Sequence, residues 1–86
     1  MSIPAAEDFK LALEELLNEA TKKKVGVVNI RSGDLHTLVG GYPGSNHRMP
    51  VCCEVMRQEM NAGDTILRQP PKGNGANLVI RYRLPR

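Results

Sequence analysis

Aromatic side chains are almost missing from this chain: its 86 residues hold no tryptophan, one phenylalanine (Phe9) and two tyrosines (Tyr42 and Tyr82). Proteins that grip single-stranded nucleic acid stack the bases on several aromatics, so that mode is nearly excluded, and the core has to be aliphatic. No apolar run approaches the roughly 20 residues of a membrane span. The start, Met-Ser-Ile-Pro-Ala-Ala-Glu-Asp, lacks the basic and apolar regions of a secretory signal. We therefore expect a soluble, cytoplasmic protein with no membrane contact. The only cysteines, Cys52 and Cys53, are adjacent inside a helical pattern, where neither easily reaches a disulfide partner within the chain. Reduced thiols fit the same address. Lys72-Gly73-Asn74-Gly75-Ala76-Asn77 lacks the G-x-x-x-x-G-K-[ST] pattern, so nothing supports phosphate binding by a P-loop.

What is there suits one small domain spanning residues 1–86, because a chain of this size buries only a modest core. Hydrophobic residues make up 41% and charged residues 24%, an ordinary globular balance that argues against wholesale disorder despite 8 Gly and 6 Pro. The net charge of +3 is unevenly placed. Residues 1–46 carry five basic side chains against six acidic, and residues 47–86 carry seven against three. A polyanion-binding surface would belong to the second half, where the alternative is a merely solvated basic face.

Pro4, Glu7 and Asp8 suit the first turn of a helix, and Phe9, Leu13, Leu16, Leu17 and Ala20 then recur on one face. That helix is expected over residues 7–20, ending near Lys22-Lys23-Lys24. Val25, Val27, Val28 and Ile30 predict a short buried strand that pairs with strands nearer the C-terminus. Ser32 or Asp34 then caps a short helix through Leu35, Leu38 and Val39, which stops at Gly40-Gly41. After the turn Tyr42-Pro43-Gly44, Ser45 or Asn46 offers a cap for a further helix over residues 48–61, with Pro50 tolerable in its first turn. Met49, Cys52, Cys53, Met56 and Met60 form its core face, and Val51, Glu54 and Gln58 point away, with His47, Arg48 and Arg57 on the margins. A strand from Thr65 follows, with Ile66 on one side and Leu67 and Gln69 on the other. In the last strand Leu78, Ile80 and Tyr82 alternate with Val79, Arg81 and Arg83. Between these strands, residues 70–77 form a projecting loop, stiffened by two prolines and freed at Gly73 and Gly75, that can lay backbone N–H groups and Lys72 against phosphates.

The order helix, strand, short helix, turn, longer helix, strand, loop, strand resembles the winged helix-turn-helix family over residues 7–84. The resemblance implies an α+β fold of three helices with a short strand and a C-terminal β-hairpin wing. Gly33-Asp34-Leu35-His36-Thr37-Leu38-Val39-Gly40 looks like the first helix of the pair, and residues 48–60 look like the recognition helix. It further implies a regulatory protein that binds double-stranded DNA, with His47, Arg48, Val51, Arg57, Gln58, Lys72 and Asn74 as contacts and no cofactor. The linker 40–46 is longer than the usual three or four turn residues. Glu54 is an acid on the presumed reading face, able to accept from a cytosine amino group or to repel phosphate.

Catalysis and metal binding are the competing chemistries. Cys52 and Cys53 fall on the buried face, where a thiol is inert, and His47 lies toward the other side of the helix start, so a cysteine-histidine enzyme is not expected. His36, His47, Cys52 and Cys53 add up to four ligands, but adjacent cysteines diverge by about 100° on a helix and lack C-x₂-C geometry, so no metal site is expected. The alternative function is a protein-interaction module on the same fold. A net charge of +3 is weak for a monomer holding DNA alone, and a homodimer through the first helix or a larger assembly would raise affinity.

Overall fold

The computed structural model describes residues 4–40, 42 and 47–85. Along the chain these residues form α1 (Ala6–Lys22), β1 (Val27–Arg31), α2 (Ser32–Val39), α3 (Met49–Gln58), β2 (Thr65–Arg68) and β3 (Val79–Arg83). The architecture is α+β: three mutually packed helices and a three-stranded antiparallel sheet ordered β1-β3-β2. No helix among the described residues is long and apolar enough to cross a membrane.

α1 forms because its apolar residues recur at helical spacing. Phe9, Leu13 and Leu17 are buried and Leu16 and Ala20 half-buried, while the acids stay outside. The Asp8 carboxylate reaches back to accept the Ala5 N–H at 2.8 Å, supplying one acceptor at the helix start. At the other end the Val25 N–H reaches the Ala20 carbonyl and the Lys24 N–H that of Thr21, which places Lys24 in the left-handed region at φ 59°.

In the sheet, Ile30 and Ile80 face each other, as do Val28 and Tyr82, and this side packs on the helices. Tyr82 is fully buried and its hydroxyl donates to the Met56 carbonyl at 2.8 Å, tying β3 to α3. The expected buried strand at 25–30 is corrected: Val25 and Val27 are each 43% exposed. β1 is an edge strand, and its alternate residues lie on the side no helix covers. β2 also departs from simple alternation. Ile66 pairs with Ile80 and Arg68 with Val79, so the register shifts at Leu67, which lies between them.

α2 needs neither Ser32 nor Asp34 as its cap, since Arg31 is the N-cap and Ser32 already lies in the helix. The free N–H groups of its first turn are met by distant carbonyls instead: Ser32 N–H to Leu78 at 2.8 Å and Gly33 N–H to Ala76 at 3.0 Å. That close approach explains Gly33, where an added Cβ would stand 3.0 Å from the Ala76 oxygen. The helix stops at Gly40, with φ at 111°, as the glycine pair predicts. α3 ends at Gln58 and not at Asn61. The Asp64 side chain accepts the Asn61 N–H at 2.7 Å and the Arg83 N–H at 2.7 Å, which favours a turn over further helix.

Candidate nucleic-acid interface

α3 presents a buried face of Met49, Cys52, Cys53 and Met56, in the register the sequence predicts, and Val55 joins them at 5% exposure. Its outer side carries Pro50, Glu54 and Gln58, all exposed, with Val51 and Arg57 half-buried. Ser45 and Asn46, the expected caps, lie outside the described residues. The N-cap position is Arg48, whose side chain makes no capping bond. Two histidines supply the acceptors: the Arg48 N–H donates to His36 Nε2 at 2.8 Å and the Met49 N–H to His47 Nδ1 at 3.3 Å. Both ring nitrogens must be unprotonated to accept. His36 is fully buried, and Phe9 meets it edge-on with ring centroids 4.8 Å apart. Neither histidine is a residue type associated with helix capping, and His36 sits twelve residues upstream, so the helical pattern gave no signal for this role.

The loop 70–77 does not stand free of the body; one side of it is fastened to α2 and α3. Arg57 donates from Nη2 to the Gly73 carbonyl and from Nη1 to Asn74 Oδ1, the latter at 2.9 Å. Cys53 Sγ donates to the Gly75 carbonyl at 3.3 Å and lies 3.5 Å from the Gly75 N–H. Ser32 Oγ donates to the same carbonyl at 2.5 Å, and Arg31 holds Asn77 Oδ1 from Nε and Nη2 at 3.3 and 3.2 Å. Within the loop the Gly73 N–H closes a turn on Pro70 at 2.9 Å. Lys72 and Asn74 remain exposed at its tip.

Arg48, Lys72 and His47 thus remain exposed, whereas Arg57 and Asn74 are engaged with one another and join the helix to the loop. Gln58 donates to Glu54 along the helix at 3.3 Å. Cys52, fully buried, donates to the Ser32 carbonyl at 3.5 Å. Burial, and secondarily the Cys53 thiol beside it, pushes its pKa up to about 12. At neutral pH it is a thiol and a weak nucleophile. Among the described residues no group of three or more His, Cys, Asp or Glu side chains is arranged to hold a metal ion. No family model, curated protein or solved structure matches this chain.

Proposed function

We propose that this chain is a winged-helix regulator that binds duplex DNA, with α3 in the major groove and the 70–77 loop as the wing on the flanking backbone. The order α1-β1-α2-α3-β2-β3 and the strand order β1-β3-β2 support the family reading. The observation that carries the functional reading is the junction of helix and loop. Arg57 and Cys53 hold residues 73–75 against α3, so exposed Lys72 is preorganised beside that helix, whose N-cap position carries exposed Arg48. Base reading falls to Val51, Glu54 and Gln58 on the outer side of α3, with Glu54 suited to a cytosine amino group. Phosphate contact falls to His47, Arg48 and Lys72.

Fluorescence anisotropy of a labelled random-sequence duplex at two salt concentrations tests this. The expected result is binding that weakens steeply as salt rises. Absence of binding at low salt would contradict it and transfer the surface to the alternative use, docking of another protein through Val51 and Glu54.

A further inference from the structure

The sheet has a second side, and its composition is one-sided. The three strands read VVNIR, TILR and VIRYR, without a single carboxylate. Cross-strand partners share a face in an antiparallel sheet. Arg81 lies between Asn29 and Thr65, Arg83 lies opposite Val27, and Val79 lies between Arg31 and Arg68. All four arginines therefore fall on the side away from the helices, since Ile30, Ile80 and Tyr82 are buried on the other. Arg68, Arg81 and Arg83 are exposed. Arg31 is half-buried and paired with Asp34 at 3.1 Å. Arg81 donates to Asn29 Oδ1 at 3.4 Å, which orients its guanidinium along the surface.

We infer that this outer sheet face is a second polyanion site, separate from α3, that takes the phosphate backbone of duplex nucleic acid. Four features choose that occupant. The cations are all arginine, whose planar fork matches phosphate oxygens in pairs. Arg68, opposite Val79, is the diagonal neighbour of Arg81 at about 7–8 Å, a spacing suited to successive anionic groups on a chain. No aromatic points outward, since Tyr82 faces the helices, so bases have nothing to stack on and the contact is with the backbone. Asn29 and Thr65 add neutral donors in the central row. Tyr82 reaches Met56 from the opposite side of the sheet, so a duplex here is not the segment held by α3. This inference stands whether or not α3 binds DNA.

The test is a salt titration of a labelled 20-bp random-sequence duplex with Arg68→Ala/Arg81→Ala, in the native chain and in an Arg48→Ala/Lys72→Ala background. In both, the slope of log K against log salt is expected to become shallower by about 1.8, at about 0.9 per phosphate contact. Thr65→Glu places a carboxylate on the face with every arginine kept, and is expected to weaken binding as well. An unchanged slope in both the arginine variant and Thr65→Glu overturns the inference. Loss confined to Arg48→Ala/Lys72→Ala overturns it too, while leaving the α3 reading intact. Displacement of the duplex by polyglutamate at equal charge concentration would overturn the choice of phosphate and assign the face to an acidic protein.

Discussion

Burial changes the chemistry of one residue outright. Cys52 moves from an ordinary thiol value of 9.0 to about 12. Between those values the unfolded chain has released this proton and the folded chain has kept it. The folded state then binds more protons, and stability falls as pH rises through the window. We expect the urea midpoint to drop from pH 9 upward, and Cys52→Ala to flatten that part of the profile relative to the native chain. Lys24 offers a second test. It occupies the left-handed C′ position of α1 at φ 59°, where glycine is the usual residue. Lys24→Gly should stabilise the fold by about 0.5–1 kcal/mol in urea unfolding. No stabilisation would mean that the lysine side chain compensates the strain.

Between elements, the decisive connection is Arg57 to the 70–77 loop. Arg57→Ala removes the bonds to Gly73 and Asn74, which should cost about 1–2 kcal/mol and release the loop. Trypsin cleavage after Lys72 should then accelerate, whereas Gln58→Ala, on the exposed side of α3, should leave that rate unchanged. These connections also mark where the sequence stopped being legible. The buried faces of α1 and α3 and the alternation of β3 are local periodicities, and each was readable. The caps of α2 and α3 were not, because their acceptors come from Ala76, Leu78 and His36, far along the chain. Nor was the register shift at Leu67, which depends on pairing with β3, or the fastening of the loop, which depends on Cys53 and Arg57 meeting residues sixteen and more positions later. The candidate contacts were found as residue types. Their division into exposed ones and ones engaged within the molecule required the fold.

At the scale of the molecule, the domain is a slab with Cα extents of 37 × 28 × 17 Å. The helices lie on one side of the sheet and four arginines on the other, with a net charge of +3 in total. Such a modest charge works on DNA only where cations are concentrated and acids kept away. Glu54 is the single acid in α3 and lies on its outer side. Glu54→Gln should therefore tighten random-duplex binding at low salt by roughly threefold to tenfold, while reducing discrimination between sequences. The most direct measurement is the salt dependence of duplex affinity for Arg48→Ala/Lys72→Ala beside the native chain, both checked for an unchanged melting temperature. A reading surface made of α3 and the loop requires weaker binding and a slope shallower by about 1.8. A folded double variant that keeps the native affinity and slope would remove DNA from that surface.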